Sequence, residues 1–164
     1  MTKDASLLIV LGILVLLLAL MVLGWYSRKR RQAHIGQPVT PPSNLSSNEI
    51  RFAGKYVATT LAGDRLNRVN VHGLGFRANC RIEAHPEGIV VARAGSPELW
   101  ISRINLRAVS RASWTIDRVV EQNGLQVIEW TLDGTAVDSY FRMDDPETCE
   151  QALNGVVSNE RQPK

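Results

Sequence analysis

The chain has 164 residues, with 19 Lys and Arg against 16 Asp and Glu, and a formal net charge of +3. This length fits one ordinary domain plus an additional segment, and an apolar content of 45% excludes a chain that is disordered throughout. Residues 1–48 carry five basic residues and one acid (net +4), whereas residues 49–164 carry 14 basic and 15 acidic residues (net −1). A basic excess confined to the N-terminus is not that of a nucleic-acid-binding globule, so we expect no nucleic-acid partner.

Residues 7–26 read LLIVLGILVLLLALMVLGWY and contain no charge. A helix of this length spans about 30 Å, the thickness of a bilayer core. Trp25 and Tyr26 stand where an interfacial aromatic belt would lie. The sequence therefore predicts a single transmembrane span over 7–26, within an N-terminal segment 1–27. A cleaved signal peptide is the weaker alternative, because the run exceeds the usual h-region of about 7–15 residues and no A-x-A site follows it.

Four basic residues follow the span directly, and only Lys3 precedes it, beside Asp4. They are Arg28, Lys29, Arg30 and Arg31. The positive-inside rule then places the N-terminus outside the plasma membrane and the rest of the chain in the cytoplasm. The same cluster would be attracted to anionic lipid.

Two features of the N-terminal region leave alternatives open. Asn44-Leu45-Ser46 is a glycosylation sequon, which would matter only if this side were extracytoplasmic. Ala5, Gly12 and Ala19 recur every seven residues and could form a small-residue stripe that pairs two spans in a homo-oligomer.

The segment 28–48 is interpreted as a basic juxtamembrane region followed by a linker. Residues 36–48 hold three prolines and no charge, a composition typical of partly stiffened linkers. Extended, these 13 residues reach at most about 45 Å. We expect a folded domain over 49–157 and a polar tail over 158–164.

Strand-like patterns fill most of the predicted domain. From Phe76 to Ala84, apolar and polar residues alternate, as expected of a half-buried strand. Further strands are predicted over 55–62, 89–93, 98–101 and 106–119. The last of these would place Trp114 and Ile116 on one face.

A hairpin is predicted near the end of the domain. Asp133-Gly134 fits a two-residue type I′ turn, which would pair Trp130 with Val137. The same register pairs Glu129 with Asp138, an unfavourable contact, unless the loop is longer or a cation lies beside them.

One amphipathic helix closes the domain. Asp144 or Asp145 can cap it, and Pro146 suits its first turn. Cys149, Leu153 and Val156 would form its apolar face. About six or seven strands followed by one helix indicate a curved antiparallel barrel or sandwich that the helix caps, although other small β folds with one helix fit equally well.

Four stretches together carry a resemblance to a known family. These are the span with its basic cluster, DRVVEQNGLQVIEWTLDG at 117–134, TAVDSYFRM at 135–143, and DDPETCEQAL at 144–153. The chain resembles small actinobacterial membrane proteins that carry a bacterial PH-like domain. The resemblance implies a PH-like fold, and some such proteins are called export or transporter proteins. It implies no catalytic residues, cofactor or metal.

The residues themselves show no catalytic constellation. There is no G-x-S-x-G elbow, and Cys80 and Cys149 match no zinc spacing. We expect both cysteines to be small buried apolar side chains, and His72 and His85 to have no metal-binding partners.

Two groups of residues are candidate binding sites. An arginine group around the first loop could form a headgroup patch, with a solvated arginine face as the simpler alternative: Arg65, Arg68, Arg77 and Arg81. A second group could form a protein-binding edge, because aromatic residues and arginine are enriched at interfaces: Trp100, Arg103 and Arg107.

The sequence thus favours a membrane-anchored, non-enzymatic PH-like binding module. It would hold a protein partner, together with anionic lipid, at the cytoplasmic face of the membrane. The alternative is an accessory subunit of a transporter or export machine, because a single span cannot by itself form a transport path.

Overall fold

The computed structural model describes residues 3–47, 49–115, 118–119 and 124–158. The chain divides into two compact units, Met1–His34 and Ile35–Lys164. The first holds helix α1 (Lys3–Arg31) and the second holds helix α2 (Pro146–Ser158). The strands are β1 (Ile50–Leu61), β2 (Asp64–Arg68), β3 (Ala78–His85), β4 (Gly88–Arg93), β5 (Leu99–Ser102), β6 (Leu106–Ala112), β7 (Trp114–Thr115), β8 (Arg118–Val119), β9 (Leu125–Leu132) and β10 (Thr135–Met143).

Helix α1 confirms the predicted N-terminal apolar helix. Its segment Leu7–Ser27 is long and apolar enough to cross a membrane. A signal sequence passes the same test of length and composition.

The second unit is an antiparallel sheet in the order β5-β4-β3-β1-β10-β9-β6, with β2 paired to β1 and a separate β7–β8 pair. The sheet is not a closed barrel. Strand β1 joins its two halves, because its first residues pair with β3 and its later residues pair with β10. The register of β1 against β10 shifts between Tyr56 and Ala58. Such a shift is typical of a β-bulge, which bends the strand that contains it. The predicted antiparallel sheet with a C-terminal helix is confirmed.

Three local expectations differ from the structure. The strand expected over 106–119 ends at Ala112, and the chain bends at Ser113 before the short β7–β8 pair. Phe76 lies outside β3 and is 74% exposed, because β3 begins only at Ala78. Strand β2 was not predicted, since its sequence DRLNR has little β propensity. Ile116 and the side chain of Trp114 lie outside the described residues.

The predicted hairpin is confirmed. Asp133 and Gly134 have φ values of 46° and 80°, as a type I′ turn requires, and Trp130 pairs with Val137. The neighbouring pair is Glu129 and Asp138.

Two cations influence the pair of Glu129 and Asp138 in the structure, as one of the predicted alternatives for this contact requires. Burial raises the pKa of Asp138, and Glu129 adds to that shift, while Arg107 and Arg65 act in the opposite direction. The Gly63 N–H donates to Asp138 Oδ2 at 3.2 Å. Two arginines and a backbone donor therefore offset the like-charge contact across β9 and β10.

Helix α2 is capped by Asp145, whose Oδ1 accepts the Thr148 N–H at 3.2 Å. Cys149, Leu153 and Val156 are buried on one face, as predicted. The helix packs chiefly against β6 and β3, and Cys80 of β3 is also buried. Burial raises the pKa of both thiols to about 12, so both remain protonated at neutral pH.

The segment before β1 is part of the folded unit. Ile35 is 2% exposed and belongs to the main core. The Val39 carbonyl accepts the Trp100 N–H at 2.8 Å, and the Ser46 carbonyl lies 3.1 Å from Nδ1 of His85. The compact unit therefore begins ahead of residue 49, because one apolar side chain and a few backbone contacts fasten the proline-rich segment to the sheet.

A chain of buried hydrogen bonds runs from β9 through β10 and β1 to the connection that precedes β3. Tyr56 OH donates to the Leu74 carbonyl at 2.6 Å and lies 2.7 Å from Thr59 Oγ1. Thr59 Oγ1 lies 2.7 Å from Ser139 Oγ, which accepts the Trp130 Nε1–H at 2.9 Å.

The direction of this buried hydroxyl chain follows from counting protons. Each hydroxyl has one proton, and that of Tyr56 is committed to Leu74. Thr59 must therefore donate to Tyr56, and Ser139 must donate to Thr59. Every donor runs the same way from the Trp130 indole to the Leu74 carbonyl, an arrangement in which successive bonds polarise one another.

Removing the hydroxyl that accepts from the Trp130 indole tests this chain. We expect Ser139→Ala to lower the free energy of unfolding by about 1–3 kcal/mol, because the buried Trp130 N–H and the Thr59 hydroxyl each lose a partner. Urea unfolding of the full chain in detergent micelles measures this change. Ser43→Ala, at an exposed position, is the control and should stay within about 0.5 kcal/mol of wild type. Equal effects of the two variants would contradict the chain.

Candidate functional site

A groove of about 700 Å³ lies on the outer surface of the sheet where β1 passes from β3 to β10. Among the described residues, its charged lining consists of the cations Lys55, Arg77 and Arg142 and the carboxylate of Asp144. We call the following set the cationic groove: Lys55, Arg77, Asn79 and Arg142.

Strand register brings these residues together. Lys55 of β1 pairs with Asn79 of β3 on one side and with Arg142 of β10 on the other. All three are exposed, whereas the following residue of each strand is buried, as strand alternation requires. Arg77 directly precedes β3 and completes the set.

Lys55 and Arg142 form no ion pair with any part of the chain that the structure describes. Val57, Leu125 and Met143 supply an apolar lining beside them. The groove can therefore accept an anionic group that is attached to an apolar one.

Gly54 sets the strand spacing beneath the groove. A Cβ at this position would lie 2.6 Å from the Arg142 carbonyl oxygen and 2.9 Å from the Met143 Cα. Since both atoms are backbone, the sheet could accept a side chain there only by moving β10 away from β1. Glycine thus permits the close approach that places Lys55 beside Arg142.

A second exposed feature lies in the 3-10 turn Arg103–Asn105 between β5 and β6. Ile104 is 91% exposed, and Arg107 is also exposed. We call Arg103, Ile104 and Arg107 the turn surface. This surface therefore presents one exposed branched apolar side chain beside two arginines.

Trp100 does not form the open edge that the sequence predicts. Its N–H is bonded to Val39, and its ring lies over Gly88, where a Cβ would contact it at 2.7 Å. The ring also meets His85 edge to face at 6.5 Å between centroids. Strand β5 is therefore covered at this point by the chain itself.

The four arginines of the predicted headgroup patch have different surroundings in the structure. Arg81 is ion-paired with Glu83 at 2.8 Å, and Arg65 interacts with Tyr140. Arg68 is half-buried, with its Cδ 3.2 Å from where a Cβ of Gly75 would lie. Arg77 alone of these four lines the cationic groove.

Of the basic cluster after the span, Arg30 is exposed in α1. The side chains of Arg28, Lys29 and Arg31 lie outside the described residues. Their role as an anionic-lipid attractant stays a prediction.

The two histidines of the domain, His72 and His85, contact the segment before β1. His72 Nε2 lies 2.9 Å from the Ile35 carbonyl oxygen, and His85 is buried beside Ser46. Over the described ranges, no group of three or more His, Cys, Asp or Glu side chains is arranged to hold a metal ion.

Sequence reasoning missed Lys55, Asn79, Arg142 and Ile104. The first three are distant in sequence and meet only through the pairing of β1 with both β3 and β10. No local spacing could signal them. Ile104 had a weak signal, because it is an apolar residue between Arg103 and Asn105.

Comparisons with known proteins agree with this architecture. Residues 35–156 match the family described as Bacterial PH domain-like. None of the curated proteins matches the chain. Among solved structures, a chain of "The 8S snRNP Assembly Intermediate" has a TM-score of 0.47 at 9% identity, over 78% of this chain and 92% of that chain. Similarity at this level carries no information about function.

The role of Gly54 is testable with a matched pair of glycine variants. Gly54→Ala should lower the free energy of unfolding by about 1–3 kcal/mol, because strand backbones must separate. Gly155→Ala should raise it by about 0.5–1 kcal/mol, because this helical glycine has open space around it and alanine favours helix. Urea unfolding of the full chain in detergent micelles gives both values. A neutral Gly54→Ala would show that the strands are not held at this spacing.

Proposed function

We propose that this chain, which belongs to the bacterial PH domain-like family, is a membrane-anchored binding module that holds a protein partner at the cytoplasmic face of the cell membrane. PH-like domains are generally non-catalytic binding modules. We therefore assign binding, and no catalytic role, to the folded unit that begins at Ile35.

The observation that carries the anchoring is the surface of α1. Its large apolar side chains from Leu7 to Tyr26 are each 47–69% exposed. Such a surface is costly in water and stable in hydrocarbon, and a helix satisfies its own backbone hydrogen bonds there.

The side of the membrane is inferred from charge. The cluster Arg28–Arg31 follows the apolar segment directly, and basic residues are retained on the cytoplasmic side. The domain that follows would then lie in the cytoplasm, close to anionic headgroups that attract the same cluster.

The partner surface is inferred from the turn surface. Ile104 offers an apolar contact that is almost entirely free, and Arg103 and Arg107 flank it. Arginine is among the residue types that carry much of the affinity in protein complexes. This assignment keeps the two arginines of the predicted edge and replaces Trp100 by Ile104.

Partner capture from membranes tests the proposal. The full chain, purified in mild detergent, should retain a defined set of proteins, and Ile104→Ser with Arg107→Glu should lose them. We expect at least a tenfold loss of the captured protein, since hot-spot residues each contribute about 2 kcal/mol or more. Arg51→Glu is the control, because it changes an exposed arginine on β1 and away from the turn surface.

Two results would contradict the proposal. Equal capture by the wild type and the turn-surface variant would show that this surface binds no partner. Capture of the same proteins by residues 1–34 alone would assign the binding to the apolar helix, as expected of an accessory subunit of a transporter or export machine.

A further inference from the structure

We propose that residues 35–47, which we call the strap, hold the turn surface in its binding conformation. The surface would be ordered while the strap lies on the sheet and would become mobile when the strap detaches. This inference rests on the proposed function, because it concerns the regulation of the partner surface assigned above.

The strap is fastened to the folded unit at its first residues. Ile35 is buried in the main core, and its carbonyl oxygen lies 2.9 Å from Nε2 of His72. Because a carbonyl oxygen can only accept, His72 donates this hydrogen bond. Gly36 lies against the turn between β9 and β10, where a Cβ would overlap the Cβ and the carboxylate of Asp133. The strap therefore crosses this turn at a point that has no space for a side chain.

The strap then contacts β5 and the turn between β3 and β4. The Trp100 N–H donates to the Val39 carbonyl at 2.8 Å, in an isolated antiparallel bridge. Nδ1 of His85 lies 3.1 Å from the Ser46 carbonyl oxygen, and the Ser46 hydroxyl donates to Glu87 Oε2 at 3.0 Å. The last residues of the strap thus contact both the end of β3 and the turn that follows it.

The turn between β3 and β4 in its place holds the turn surface. The Arg103 N–H donates to the Glu87 carbonyl at 2.9 Å. On its other side the turn surface continues into β6, where Leu106 is buried and pairs with Trp130. Ile104 has little packing of its own, because its side chain is almost entirely exposed. Its position therefore depends on these two backbone attachments, and the strap supports the one at Glu87.

The strap also begins close in sequence to the apolar helix. Helix α1 ends at Arg31 and the folded unit begins at Ile35, so residues 32–34 alone connect them. A surface that is mobile before binding must be ordered when it binds, and this ordering lowers affinity. The strap is therefore the part of the folded unit through which the span would affect partner binding.

Hydrogen exchange of single amides tests the proposal without a partner. The full chain in detergent micelles is compared by NMR with Gly36→Ala. The backbone of the turn fixes the Cβ of Asp133, so side-chain rotation cannot relieve the overlap and the strap must move. We expect the Trp100 and Arg103 amides to exchange about tenfold faster, because both hydrogen bonds then open more often.

A second variant removes one contact of the strap and leaves the rest in place. Ser46→Ala loses only the side-chain bond to Glu87. The Arg103 amide should then exchange about threefold faster, whereas the Trp100 amide should keep its wild-type rate. This variant introduces no overlap, so it tests the proposal even if Gly36→Ala does not fold.

A compensating variant and a control separate the strap from nonspecific effects of substitution. Gly36→Ala combined with Asp133→Gly lacks the overlapping side chain, and a type I′ turn accepts glycine at this position. The pair should therefore restore the wild-type exchange rates. Gln37→Ala changes the neighbouring, exposed position and should alter the same rates by less than about twofold.

Two exchange results would overturn the proposal. Faster exchange at Trp100 in Gly36→Ala, with an unchanged rate at Arg103, would show that the strap covers β5 without holding the turn surface. Equal acceleration of the amides of β9 and β10 would show that the strap stabilises the whole domain and not this surface in particular.

Partner capture then tests the regulatory role. Gly36→Ala should retain about threefold less of the proteins that depend on Ile104 and Arg107, and adding Asp133→Gly should recover them. Full capture by Gly36→Ala, despite faster exchange at Arg103, would overturn this role. Undiminished capture by Ile104→Ser with Arg107→Glu would overturn the proposed function instead, whereas the exchange rates still report whether the strap holds the turn surface.

Discussion

The buried hydroxyl chain from Trp130 to the Leu74 carbonyl is the contact on which the rest of the domain depends. It joins β9 and β10 to β1 and then to the connection that leads into β3. The Thr59 N–H donates to the same Leu74 carbonyl, and the Arg93 guanidinium lies over the Tyr56 ring at 5.3 Å from its centroid. A buried polar network is stabilising only when each member is satisfied, and this one fixes a long connection that could otherwise move.

The groove is a consequence of how β1 is shared. One strand pairs with β3 on one side and with β10 on the other, so outward residues of three strands meet at Lys55. Gly54 allows β1 and β10 to approach each other closely. The connection that Tyr56 and Thr59 hold through the Leu74 carbonyl positions Phe76 and Arg77 beside the groove. The packing of the core therefore affects the surface, because the hydrogen bonds to the Leu74 carbonyl also position Arg77.

Elements with strong local signals were predictable from the sequence. The apolar helix, the Asp133-Gly134 turn with its register, and the cap and apolar face of α2 all depend on neighbours within a few residues. The break at Ser113, strand β2 and the exposure of Phe76 were not predictable, because tertiary pairing decided them against weak propensities. The same distinction between local signals and tertiary pairing applies to the candidate site residues. Arg77, Arg103 and Arg107 were recognised as candidates, whereas Lys55 and Arg142 become neighbours only through non-local strand register, and Trp100 is covered by a segment predicted to be a linker.

We propose that the domain is anchored at the cytoplasmic side of the membrane. The accessibility of one introduced cysteine tests this proposal most directly. Ser43→Cys adds an exposed thiol in the segment before β1, while burial raises the pKa of native Cys80 and Cys149 to about 12 and makes the wild type an unlabelled control. A membrane-impermeant maleimide is added to intact and to opened cells that express the full chain, and the mass of the membrane-bound product is measured. We predict labelling only in opened cells, on a protein that retains residues 1–34. Labelling in intact cells, or a product that lacks the apolar helix, would contradict the account.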